Sequence, residues 1–111
     1  MKIISRMFAL TAILAFSNFL AFADTRIRFA KGRTSATVNA RIARGGRLCF
    51  VAGARAGQSF NATVSSKSGK VMIFESSETS YSFVVDHGGD QSVCVDNLAG
   101  ATNFTLTVSI R

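Results

Sequence analysis

The stretch Ser35-Ala36-Thr37-Val38-Asn39-Ala40-Arg41-Ile42 puts Ala36, Val38, Ala40 and Ile42 on one parity and Ser35, Thr37, Asn39 and Arg41 on the other. Side chains of an extended strand point alternately to opposite faces, so this pattern specifies a strand with one apolar and one polar side. The reading extends in both directions. Upstream, Ile27 and Phe29 alternate with Arg26 and Arg28 ahead of a turn at Lys31-Gly32. Downstream of a turn at Arg44-Gly45-Gly46, Leu48, Phe50, Ala52 and Ala54 share a face. After Ala56-Gly57, Phe60, Ala62 and Val64 alternate with Ser59, Asn61 and Thr63.

Ser65 to Lys70 has the composition of a hairpin loop, and Val71-Met72-Ile73-Phe74, apolar on both parities, reads as a central or doubly covered strand. Tyr81 to Val85 gives a further strand between the polar segments Glu75 to Thr79 and Asp86 to Asp90. Val93 and Val95 then point one way, with Cys94 and Asp96 the other. After Leu98-Ala99-Gly100, Phe104, Leu106, Val108 and Ile110 form a last amphipathic strand. Short strands punctuated by turns at this spacing predict an all-β fold, a small antiparallel β-sandwich of about eight strands.

Composition narrows the class further. The 111 residues are 48% apolar and 17% charged, which excludes a disordered polyelectrolyte and a coiled coil. Lys2 and Arg6 precede an apolar run from Met7 to Phe22, and Ala21-Phe22-Ala23 has the form of an export cleavage site. The run is shorter than a spanning helix requires, so residues 1–23 are expected to be a signal peptide. Residues 24–111 are then the exported β-sandwich domain, with no membrane span after cleavage.

The exported part carries 11 basic and 6 acidic residues, unevenly distributed. Ten of the basic residues lie before Val71 and five of the acidic ones after it, so the surface is expected to carry separate positive and negative regions. Its two cysteines, Cys49 and Cys94, are expected to pair in an oxidising compartment. Each lies off the main apolar parity of its strand, which predicts a bridge on the outer side of a sheet and not one crossing the core.

Two further strings, Ile27-Arg28-Phe29-Ala30-Lys31-Gly32-Arg33-Thr34-Ser35-Ala36-Thr37-Val38 and Phe50-Val51-Ala52-Gly53-Ala54-Arg55-Ala56-Gly57-Gln58, carry a resemblance. They resemble the opening of the periplasmic inhibitors of goose-type lysozyme and of the wider pre-peptidase C-terminal-like β-sandwiches. The resemblance implies a periplasmic or secreted protein whose partner is a lysozyme, blocked by loops inserted into the substrate cleft. It transfers no inhibitory residue. The Ser-Gly-x-Tyr signature of other lysozyme-inhibitor families is absent, the nearest string being Ser68-Gly69-Lys70 with no Tyr after it.

An inhibitor needs a protruding polar loop complementary to a carboxylate-lined cleft on a basic enzyme. Two segments meet that requirement: Glu75, Ser76, Ser77 and Glu78 in one, and Asp86, His87 and Asp90 in the other. The alternative reading is a module that binds envelope polyanions or carbohydrate through Arg41, Arg44 and Arg47. Export argues against nucleic acid as the natural ligand. One His and two Cys cannot assemble a His/Cys metal cluster, no nucleophile motif accompanies His87, and no cofactor motif is present. The chain is therefore expected to bind, with no metal, no cofactor and no catalytic residues.

Overall fold

A computed structural model describes residues 24–111; the expected leader, residues 1–23, lies outside the described residues. Eight strands form, β1 (Asp24–Arg26), β2 (Ser35–Ile42), β3 (Arg47–Ala54), β4 (Ser59–Ser66), β5 (Val71–Ile73), β6 (Ser80–Val84), β7 (Gly89–Asn97) and β8 (Thr102–Ile110). They make two four-stranded sheets, ordered β1-β3-β7-β5 and β2-β8-β4-β6. Odd strands build one sheet and even strands the other, so every connection crosses between layers.

The alternating residues meet in the space between the sheets. Phe50, Ala52, Val71, Ile73, Val93 and Val95 from the odd sheet face Ile42, Phe60, Ala62, Val64, Phe104, Leu106 and Val108 from the even one, all buried. Each large side chain in this layer contributes roughly 1.5–3 kcal/mol relative to exposure. Phe50 meets Phe104 edge-on across the layer at 6.3 Å, and Phe60 stacks on its ladder partner Phe83 at 4.9 Å.

Three local readings are corrected. Ser65–Lys70 is not a hairpin loop, because β4 and β5 belong to different sheets. The Val71–Phe74 run is not central: β5 stops at Ile73 and lies at a sheet edge, with Phe74 half exposed. Alternation at Arg26–Phe29 marks the end of a strand, since β1 stops at Arg26 and pairs parallel to β3, the single parallel pair among the described strands. Ile27 still donates its N–H to Val51 O and buries its side chain, which accounts for the apolar signal. Both edge strands of the odd sheet have three residues, and their shortness leaves little backbone open to another chain.

Cys49 and Cys94 are direct ladder partners on β3 and β7 and are joined by a disulfide, with Cα atoms 4.0 Å apart. The Cys94 N–H and C=O both point toward the β5 side, to Glu75 and Phe74. The cysteines therefore occupy a non-hydrogen-bonded pair, the position where facing side chains come closest. The bridge lies within one sheet, as its parity predicts.

Asn97 is the one buried polar side chain among the described residues. Its Nδ2 donates to the carbonyls of Ile42, Ala43 and Gly100, its Oδ1 accepts from Ala99 N–H, and its own N–H reaches Gly46 O. One amide thus ties the β2–β3 and β7–β8 turns together at one end of the sandwich. On the odd sheet's outer face, Arg26 of β1 reaches past β3 to Asp90 of β7 at 2.5 Å. The hydrogen bond from Arg26, helped by its charge, holds the Asp90 carboxyl below its ordinary pKa.

Replacing Cys49 and Cys94 by Ser should cost about 4 kcal/mol, because the bond links residues 45 positions apart, and should lower Tm by roughly 15–30 °C. A calorimetric fall of less than about 5 °C would show that the ladder alone restrains this loop. A group whose folded pKa is depressed stabilises above its unfolded pKa and loses that contribution as pH falls through the folded value. The Asp90 carboxyl followed by NMR should accordingly titrate below the usual aspartate value of about 3.9 and return to it in Arg26→Ala; an identical midpoint in both proteins would contradict the pairing.

Candidate functional site

The segment between β5 and β6 is a loop closed by its own hydrogen bonds. Ile73 N–H donates to Glu78 O at 2.7 Å, Ser77 N–H to Ile73 O at 2.8 Å, and Glu78 N–H to Ser76 Oγ at 3.2 Å. Ser77 completes the turn with φ +57°, the one non-glycine in the left-handed region among the described residues. Strain of this kind persists only where surrounding bonds over-determine it, and it concentrates at binding sites.

Glu75 does not project from this loop as a free charge. Its Oε1 accepts the Cys94 N–H at 3.0 Å, taking the ladder position that β5 abandons when it ends. Its negative charge also reaches Tyr81, whose phenol pKa is raised first by burial and then by Glu75. Ser76 is partly buried, while Ser77 and Glu78 are exposed at the tip.

The outward feature is Phe74, 50% exposed, with the Arg47 guanidinium 3.9 Å above its ring. Arg47 also forks onto Asp96, Nε to Oδ1 at 2.5 Å and Nη2 to Oδ2 at 3.0 Å. That pair holds the guanidinium in one orientation and raises its pKa. Beside it, Leu98 is 70% exposed at the rim of a shallow hollow shared with Arg47 and Asp96. Phe74 and Arg47 thus join an exposed aromatic ring to a fixed guanidinium, and aromatic residues and Arg are both enriched at protein interfaces.

The other expected segment is reorganised. Gly89 and Asp90 belong to β7, so the loop is only Val85 to Gly88. Val85 is buried and exchanges backbone bonds with Gln58 and Gly57, leaving Asp86 and His87 exposed at the end of the sandwich. Gln91 Nε2 donates to the carbonyls of His87 and Gly89 and shapes the bend. Asp90 is tied to Arg26 on the strand face. The two segments lie at opposite ends of the five-residue β6, about 17 Å of extended chain, and do not merge into one acidic patch.

The expected basic group is likewise divided. Arg41 lies next to the end of β2 on the outer face of the even sheet, Arg47 begins β3 on the outer face of the odd sheet, and Arg44 sits in the turn between. The chain changes layers between residues 42 and 47, so Arg41 and Arg47 point to opposite sides of the molecule. The expected separation of charge by sequence half also breaks down, because Arg26 and Arg47 pair with Asp90 and Asp96 from the acidic half.

The Arg47–Asp96 pair had a legible signal. Once Cys49 and Cys94 face each other in an antiparallel ladder, the residues two steps outward, Arg47 and Asp96, must also be partners. Phe74 had none, since its exposure depends on β5 ending one residue earlier than the apolar run does.

Among the described residues no three His, Cys, Asp or Glu side chains gather as a metal site. No protein-family model matches the chain, and no curated protein matches it in sequence. Among solved structures it is similar to Aeromonas hydrophila PliG, a periplasmic lysozyme inhibitor of g-type lysozyme, with TM-score 0.67 and 17% identity over 80% of this chain and 96% of that one. It is similar too to the Salmonella Typhimurium PliG, with TM-score 0.62 and 16% identity over 79% of this chain and 97% of that one. A mutant of the Escherichia coli protein gives TM-score 0.61 and 15% identity over 79% and 97%. What the chain shares with these periplasmic inhibitors of g-type lysozyme is the fold, over nearly the whole length of each.

Proposed function

We propose that this protein is an exported, non-enzymatic inhibitor of a g-type lysozyme. The observation that carries the reading is the likeness to PliG structures, which spans 96–97% of those chains and is not confined to a shared half of the sandwich. A periplasmic or secreted setting agrees with the Cys49–Cys94 bond, since disulfides persist in oxidising compartments. The non-enzymatic reading is supported by the structural neighbours, which are lysozyme inhibitors.

In this reading the β5–β6 loop is the element that enters the enzyme's cleft. Its internal bonds fix the conformation before binding, so little entropy is lost on association. Phe74 supplies apolar contact with Arg47 stacked on its ring, and Ser77 and Glu78 present polar groups at the tip. Asp86 and His87 form the second candidate contact, at the end of the sandwich.

The purified protein should inhibit g-type lysozyme with a stoichiometric end point and leave chicken-type and invertebrate-type enzymes active. Phe74→Ala should weaken inhibition about 10–100-fold, or roughly 1.4–2.8 kcal/mol. Loss of inhibition in an Asp86→Asn, His87→Ala variant with none in Phe74→Ala would move the contact to the β6–β7 loop. Failure to inhibit any lysozyme class would overturn the function itself.

A further inference from the structure

The even sheet's outer face has a composition that the reading above leaves unassigned. Thr37, Thr107, Thr63 and Ser80 line up in one row across all four strands, and adjoining rows are also Ser, Thr and Asn. The sheet's aromatics, Phe60, Tyr81, Phe83 and Phe104, lie on the opposite parity and pack toward the core. Hydroxyls and amides both donate and accept, and the strands repeat about every 4.8 Å, a step comparable to a sugar ring.

At one end this face opens into a shallow, open hollow of about 640 Å³ bordered by Asn39, Arg41, Ser65, Lys67, Asn103 and Thr105, with apolar lining from Ala40 and Phe104. No carboxylate lines it. The ion pairs among the described residues are Arg26–Asp90 and Arg47–Asp96, so Arg41 and Lys67 have no acidic partner. Thr105 Oγ1 donates to Asn39 Oδ1 at 2.7 Å, which leaves the Asn39 amide nitrogen to donate outward.

We propose that this concavity binds a carboxylate-bearing polysaccharide. The hydroxyl and amide surface matches a polyol, and the two unpaired cations call for negative charge on it. Two cations among many neutral groups suit sparse charge, one carboxylate every sugar or two, with Arg41 gripping a carboxylate through its fork. A dense polyphosphate would require a closer-set run of cations. The set differs from the Arg41, Arg44 and Arg47 grouping suggested by sequence, because Lys67 follows β4 in the same sheet as Arg41 whereas Arg47 lies on the far side. The proposal is independent of lysozyme inhibition and is read without the enzyme.

The test is an amide chemical-shift titration of the labelled protein with a hyaluronan octasaccharide, a neutral chitooligosaccharide of equal length and inorganic polyphosphate. Hyaluronan should shift Asn39, Arg41, Ser65, Lys67, Asn103 and Thr105 in a saturable way, and the neutral oligomer should not. Arg41→Glu with Lys67→Glu should weaken that binding at least tenfold, while Arg28→Glu, with a like charge reversal away from the concavity, should leave it within twofold. The proposal is overturned by equal shifts with the neutral oligomer, by tighter binding of polyphosphate to the same residues, or by hyaluronan shifts elsewhere on the molecule.

Discussion

Each strand of this sandwich is followed by a strand of the other sheet, and nearly everything else depends on that constraint. No two consecutive strands are hydrogen-bonded neighbours, so neither sheet contains a hairpin that could form locally. Ladders join segments far apart in sequence, β2 to β8 and β3 to β7 above all. Such pairing must overcome loop-closure entropy before it is rewarded, and it makes folding slow for the chain's size. The apolar layer between the sheets supplies the common driving force. The Cys49–Cys94 bond and the Asn97 amide fix long-range neighbours that no turn could hold.

The same constraint arranges the surface. Because the chain changes layers at every connection, a basic stretch of sequence is dealt onto both faces, and cations meet acids from the other half of the chain. Arg26 and Arg47 are neutralised by Asp90 and Asp96 on the odd sheet, while Arg41 and Lys67 on the even one have no acidic partner among the described residues. The molecule therefore has two dissimilar outer faces. One carries a disulfide, ion pairs and the exposed Phe74 at its edge; the other is a hydroxyl and amide lattice with Arg41 and Lys67 at one end. A protein contact suits the first, and a hydrated polar chain suits the second.

Much of this architecture is legible in the sequence. Period-two alternation locates most of the strands, since their polar and apolar faces are cleanly separated. The off-parity cysteines give the in-sheet bridge. Assignment of strands to sheets is not legible, because alternation records which side of a strand is buried and says nothing about its neighbour. That gap explains the mistaken hairpin at Ser65–Lys70 and the grouping of Arg41 with Arg47. The candidate site suffers in a different way. Glu75 and Asp90 read as loop acids, yet one completes a ladder and the other anchors β1, roles created by partners 19 and 64 positions away. Phe74 reads as core because an apolar run carries no mark of where its strand ends.

A crystal structure of the protein bound to a g-type lysozyme tests the functional account most directly. The expected result is the Phe74–Ser77 turn seated in the substrate cleft, with Phe74 buried by the enzyme and the even sheet's outer face free. A complex in which that turn faces solvent, or in which the enzyme covers the Arg41 and Lys67 face, would contradict it.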